Sequence, residues 1–157
     1  MKIATFNANS IRSRMPILLE WLKDHQPDVV GIQETKVQDH DFPQAEIEAA
    51  GYHVVFRGEK SYNGVAILSK EEPKDVRFGF DDGGPADETR LVAARIGAFV
   101  VVNTYVPQGR AIDHVMYQYK LKWYRRLKEL FEKEYADEPN LIWLGDLNIA
   151  VEPVDVT

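Results

Sequence analysis

The apolar positions of this 157-residue chain fall into short β-rich runs separated by turn residues, with two longer stretches of helical period. Strands are predicted at Ile3–Asn7, Val29–Gln33, Tyr52–Phe56, Gly64–Ser69, Asp75–Phe80, Leu91–Ile96, Phe99–Tyr105 and Leu141–Leu144, each punctuated by turn chemistry. Ile17, Leu18, Trp21 and Leu22 form an apolar stripe and Pro27 follows, so Ser13–His25 is predicted to be a helix. A second helix is predicted over Asp113–Tyr135, with Met116, the stem of Lys120, Trp123, Leu127, Leu130 and Phe131 along one face. Pro43–Ala50 reads as a short helix stopped by Gly51, and Asp81–Asp87, with Gly83-Gly84-Pro85, as a loop.

The element order is β-α-β, then a run of strands, then a long helix and another strand. That order predicts an α/β fold, a two-layer β-sandwich of mixed sheets flanked by helices, rather than a doubly wound sheet. The last predicted strand leaves a sheet edge unpaired, which domains usually avoid. Residues 1–157 are therefore expected to be one domain lacking its carboxyl-terminal portion.

Composition narrows this picture modestly. At 45% apolar and 28% charged residues, the chain suits a single globular unit. The absence of cysteine excludes disulfides and thiolate metal sites. The longest apolar stretch, Ile96 to Val102, falls far short of a membrane span. The opening residues already read as a strand without a signal-peptide pattern, so a cytoplasmic location is expected. A net charge of −6 weighs mildly against a nucleic-acid partner, although a local basic patch can coexist with an acidic remainder. The basic run Lys120, Lys122, Arg125, Arg126 and Lys128 reads as a solvated helix face, with Arg125–Glu129 and Lys128–Glu132 as i, i+4 pairs.

Chemistry gathers at the strand ends. Apolar strands close with Asn7-Ala8-Asn9, Glu34-Thr35-Lys36, Asn103-Thr104-Tyr105 and Asp146-Leu147-Asn148. In three of these the polar pair is spaced i, i+2, which on a strand puts both side chains on one face. Polar groups at the ends of buried strands are costly unless paired or binding something, so one convergent polar site is expected. The types suit phosphodiester hydrolysis. Glu34 offers an oxygen ligand to a hard divalent cation, and Asp146 could orient or deprotonate a water. Asn7, Asn148 and Tyr105 could hold non-bridging oxygens as charge develops. Taken singly, each has a plainer reading: Asn and Asp as turn formers, Glu34 with Lys36 as a surface ion pair, Tyr105 as a core tyrosine.

Five motifs in order add a resemblance: Thr5-Phe6-Asn7-Ala8-Asn9-Ser10-Ile11-Arg12, the segment from Pro27 to Lys36 ending Gln33-Glu34-Thr35-Lys36, Tyr62-Asn63-Gly64 through Ser69, Asn103-Thr104-Tyr105-Val106-Pro107-Gln108-Gly109, and Leu144-Gly145-Asp146-Leu147-Asn148. Together they resemble the exonuclease III/AP endonuclease family over essentially the whole chain, implying its DNase I-like fold. The resemblance implies a Mg²⁺- or Mn²⁺-dependent phosphodiesterase with no further small-molecule cofactor. Its implied substrate is duplex DNA with abasic sites or 3′ ends, digested 3′→5′, incised and cleared of 3′ blocking groups. Glu34 would bind the metal with help from Asn7, while Lys36 and Asn9 would stand beside it. Tyr105 would contact the scissile phosphate, Asp146 act on the water or leaving group, and Asn148 stabilise the transition state. Arg12, Tyr62, Asn63, Gln108 and Arg110 would grip DNA. Family members continue into a closing Ser-Asp-His motif with a catalytic histidine. None of His25, His40, His53 and His114 lies in such a motif, and all four read as surface residues. Two other readings stay open: a phosphodiesterase for a phosphoinositide or phospholipid head group, and an inactive fragment that binds DNA or a protein.

Overall fold

A computed structural model describes residues 1–86 and 88–150. Its elements are β1 (Ile3–Asn7), α1 (Ile11–His25), β2 (Val29–Gln33), a 3₁₀ turn (Asp39–Asp41), α2 (Gln44–Ala49), β3 (His53–Arg57), β4 (Val65–Ser69), β5 (Lys74–Phe78), β6 (Leu91–Ile96), β7 (Phe99–Tyr105), α3 (Val115–Glu134) and β8 (Leu141–Asp146). Two four-stranded sheets form, in the orders β1-β2-β4-β3 and β5-β6-β7-β8. The pairs β1/β2 and β7/β8 are parallel and the others antiparallel, so both sheets are mixed, as the element order implied.

Three apolar layers hold the sandwich together. Ile11, Met15, Leu18 and Leu22 of α1, with Ile47 of α2, cover Val30, Ile32, Ala66 and Leu68 on the outer face of the first sheet. Val29, Val65 and Ile67 meet Val92, Ala94, Ile96 and Val101 between the sheets. Trp123, Leu127 and Leu130 of α3 pack on Leu91, Ala93, Val100 and Val102 behind the second sheet. Strands β2 and β4 are buried at every position because both their faces are covered. At Gly31 the sheets approach so closely that a Cβ would lie 2.1 Å from Leu144 Cδ1. A larger residue there would have to push the Leu144 side chain aside.

Several boundaries differ from the sequence reading. Helix α1 begins at Ile11 rather than Ser13, and its buried stripe is Ile11, Met15, Leu18 and Leu22, while Ile17 is 61% exposed. The early start has a tertiary cause: the amides of Ser10 and Ile11 donate to the carbonyls of Glu34 and Thr35 at 2.8 and 3.1 Å, so two amides at the helix start find partners outside the helix. Strand β8 runs on to Asp146 because it pairs with β7 as far as Tyr105. Strands β3, β4 and β5 and helices α2 and α3 shift by one or two residues, and the 3₁₀ turn was not foreseen. His114 caps α3, its Nδ1 accepting from the Met116 amide at 3.0 Å. The predicted 81–87 loop is irregular through Ala86, and Asp87 lies outside the described residues, as do 151–157. No helix among the described residues is long and apolar enough to cross a membrane.

Candidate active site

The carboxyl ends of β1, β2, β7 and β8 meet at one edge of the sandwich, and Asn7 sits at the centre. Its Nδ2 donates to Glu34 Oε1 and to Asp146 Oδ2, both at 2.8 Å, tying together carboxylates from the two sheets. Its Oδ1 accepts from the Asn9 amide at 3.0 Å. Lys36 Nζ lies 2.8 Å from Glu34 Oε2 and 2.5 Å from Asn9 Oδ1. The Tyr105 hydroxyl also bonds to Glu34. Asn148 donates its amide to Asp146 Oδ1 at 3.0 Å and its side-chain nitrogen to Val106 O at 2.7 Å. Asn7, Glu34, Lys36, Asn9, Tyr105, Asp146 and Asn148 are thus brought together in one constellation.

Strand alternation at i, i+2 is not what brings several of them together. Strand β2 ends at Gln33, and Asn9, Glu34, Lys36 and Asn148 all lie beyond strand ends with φ of 42°, 52°, 52° and 49°. Left-handed backbone is unfavourable for side chains other than glycine and persists where surrounding structure over-determines it. Here the Thr35 and Lys36 amides are fixed to the carbonyls of Gly64 and Asn63 at 3.2 and 2.9 Å. The plainer readings prove compatible with the site. Asn7 and Asp146 do form turns, and Glu34 does pair with Lys36, while facing one another.

Electrostatics favour an ionised Glu34 beside a neutral tyrosine. Burial pushes the Glu34 carboxyl up, but the bonds from Asn7, Lys36 and Tyr105 together outweigh it and hold it below the usual range. Burial, with the charge of Glu34, pushes the Tyr105 phenol up to about 12, against the pull of Arg90. Buried Arg90 lies with its guanidinium carbon 4.9 Å over the Tyr105 ring and donates to the Tyr105 carbonyl at 3.3 Å. Beneath the site, Asn103 crosses between the sheets. Its Nδ2 donates to Ile32 O and Ala66 O at 2.9 Å each, and its Oδ1 accepts from Gln33 Nε2 at 2.6 Å. Gln33 immediately precedes Glu34 and Asn103 lies two before Tyr105, so this bridge sets the spacing of the two walls.

The DNA-contact candidates ring the constellation. Arg12 lines a depression with Ser10, Lys36 and Lys60 on one flank. Gln108 and Arg110 line another with Tyr117, Lys120 and Asn148 on the opposite flank. Tyr62 is 70% exposed at the β3–β4 loop, whereas Asn63 is drawn into that loop by donating to Glu59 at 2.5 Å. Of the basic run on α3, Lys128 pairs with Glu132 at 2.5 Å as read, while Arg126 turns to Asp82 at 2.7 Å. Sequence reasoning assigned no role to Arg90 or Tyr124, placed Gln33 and Asn103 only within strand-end motifs, and placed Lys120 only on a helix face and in a solvated basic run. An asparagine directly after Val100-Val101-Val102 was the one available signal, since a polar residue in such a run needs partners.

The donor set fits a hard divalent cation held sparingly. Among the described residues no group of three or more acidic, histidine or cysteine side chains could form a closed cage. Glu34, with Asp146 across Asn7, matches Mg²⁺-type sites that use one or two carboxylates and leave other positions to water and phosphate.

A model of the endonuclease/exonuclease/phosphatase family matches residues 4–156. The chain belongs to that family. Members are in general divalent-metal-dependent. Exodeoxyribonuclease III of Haemophilus influenzae is 37% identical over 99% of this chain and 60% of its own length. An AP endonuclease of Archaeoglobus fulgidus superposes with a TM-score of 0.94 at 53% identity, over all of this chain and 61% of that one. The 3′ phosphatase NExo from Neisseria, solved with a product DNA hairpin, superposes equally well (0.94) at 37% identity, over 99% of this chain and 60% of that one. Within the family these relatives bear out the exonuclease III/AP endonuclease resemblance and the DNase I-like sandwich. The chain spans about three-fifths of the length of each of these relatives.

Proposed function

We propose that this chain carries the phosphate-cleaving site of a DNA-repair nuclease of the exonuclease III kind, working with Mg²⁺ or Mn²⁺. The activities are 3′→5′ digestion of duplex DNA, incision beside abasic sites and removal of 3′ blocking groups. One observation carries the reading: Asn7 links Glu34 and Asp146, two carboxylates from different sheets, with Tyr105 and Asn148 alongside. Glu34 holds the cation, which when bound polarises a phosphoryl oxygen and offsets its growing charge. Lys36 and Asn9 keep Glu34 aimed. Asp146 takes the proton of the attacking water or governs the leaving oxygen. The neutral Tyr105 phenol and the Asn148 amide donate to the phosphate oxygens as charge builds. Arg12, Tyr62, Asn63, Gln108 and Arg110 hold the DNA backbone on either flank.

The test is incision of a labelled abasic duplex by a chain of full family length carrying residues 1–157. Asp146→Asn should lower turnover by about 10²- to 10⁴-fold while DNA affinity stays near normal. Near-normal turnover would make Asp146 structural. Preferential cleavage of a phosphoinositide head group would overturn the substrate class.

A further inference from the structure

Helix α3 does more than cover the second sheet. Lys120 and Tyr124, one turn apart on its partly buried face, both reach the loop that follows β8. The Tyr124 hydroxyl donates to Leu147 O at 2.6 Å, and Lys120 Nζ donates to Asn148 O. The two flanking peptide planes of Asn148 are therefore each held from the same helix. A peptide unit is planar, so fixing the Leu147 carbonyl also fixes the direction of the Asn148 N–H on its other side. That N–H is the one donating to Asp146 Oδ1. Fixing the Asn148 carbonyl sets the second plane, and with it the left-handed conformation (φ 49°) from which the Asn148 side chain reaches Val106 O.

We infer that Lys120 and Tyr124 are positioning residues that lock the peptide planes around Asn148 and so aim Asp146 and Asn148 at the phosphate. The inference rests on the nuclease reading for its consequence in turnover, but not for its geometry. Lys120 also runs beneath the Gln108–Arg110 loop, where a Cβ added to Gly109 would lie 3.1 Å from its Cδ. One side chain thus braces a flanking loop and the loop after β8. Burial, aided by the charge of Asp146, pushes the Tyr124 phenol up to about 12, which keeps it a neutral donor across the working range.

The variants are Tyr124→Phe, Lys120→Met and Lys120→Arg in the same chain of full family length carrying residues 1–157, with thermal unfolding and β7 amide protection confirming the fold. Exchange of the Asn148 amide should quicken by at least about tenfold in Tyr124→Phe, while β7 amides stay unchanged. Turnover should fall roughly 10- to 100-fold in Tyr124→Phe and Lys120→Met with KM unchanged, and recover in Lys120→Arg. If Tyr124→Phe does not fold, Lys120→Met is judged by the same readings. Unchanged Asn148 exchange, or a rise in KM at constant kcat, overturns the inference; the latter would make Lys120 a DNA grip. If the unsubstituted chain cleaves no DNA, the nuclease reading falls and amide exchange alone decides the positioning role.

Discussion

Glu34 carries its charge in a half-buried place because Asn7, Lys36 and Tyr105 all bond to it. Removing that carboxylate takes away the oxygen ligand proposed for the cation, while Asn7 keeps its bond to Asp146 and Lys36 its bond to Asn9. Glu34→Ala should therefore weaken Mn²⁺ binding by more than about 100-fold, beyond what loss of a supporting residue costs. The domain should stay folded, since the group lies at the sandwich edge. Calorimetric titration of both proteins checks this, and equal affinities would remove Glu34 from the metal site. A second carboxylate bears on stability. The hydrogen bonds from Arg126, with its charge, hold Asp82 down at about 2. A depressed folded-state pKa stabilises the fold above the ordinary value of 3.8, and the gain is lost as pH falls toward 2. Urea midpoints of Asp82→Asn should thus change less than those of the parent between about pH 5 and 3. Most of the constellation was legible as polar residues closing apolar strands. Lys120 and Tyr124 were not, because on a helix a lysine reads as a solvated head on a packed stem and its bond to a distant carbonyl leaves no trace in spacing.

Between the sheets, Asn103 joins elements that share no ladder. Replacing it with leucine takes the Asn103 donor from the carbonyls of Ile32 and Ala66 and leaves Gln33 Nε2 with its bond to Thr5 alone. A loss of about 1–3 kcal/mol is expected from urea unfolding, the scale of a buried hydrogen-bonded network that loses one member. A cost below about 1 kcal/mol would mean that the sheets need no polar pin. Among the described residues, the eight strands and three α-helices were visible as runs and periods, because burial on one or two faces writes itself into the pattern. What escaped was set by contacts distant in sequence. The start of α1 depends on carbonyls after β2, and the reach of β8 depends on β7. Ile17 matched the stripe by spacing yet faces solvent beside Phe6 and Trp21, in a shallow apolar groove.

At the scale of the molecule, β1 and β8 are the outer strands of their sheets and lie side by side, with Phe6 and Trp143 partly exposed. We propose that residues 1–157 are one part of a single domain whose remaining strands continue from these edges. The 157-residue chain alone should then show no appreciable abasic-site incision with Mg²⁺ and should self-associate, since open edges template pairing. Supplying the carboxyl-terminal portion of a longer relative, in cis or as a separate chain, should restore activity. Incision assays alongside light scattering decide it, and robust cleavage by a monomer would sink the idea. The sheet layout also has a consequence for synthesis. The first sheet is drawn wholly from residues 3–69 and the second from 74–146. The bond that closes the site, Asn7 to Asp146, spans 139 positions. A chain leaving the ribosome can thus complete its first sheet while Val29, Val65 and Ile67 still lack a cover, a slow and aggregation-exposed route typical of high contact order. Glu34 and Asp146 cannot meet through Asn7 until the nascent chain has delivered its last described strand, so a half-made protein is chemically unarmed.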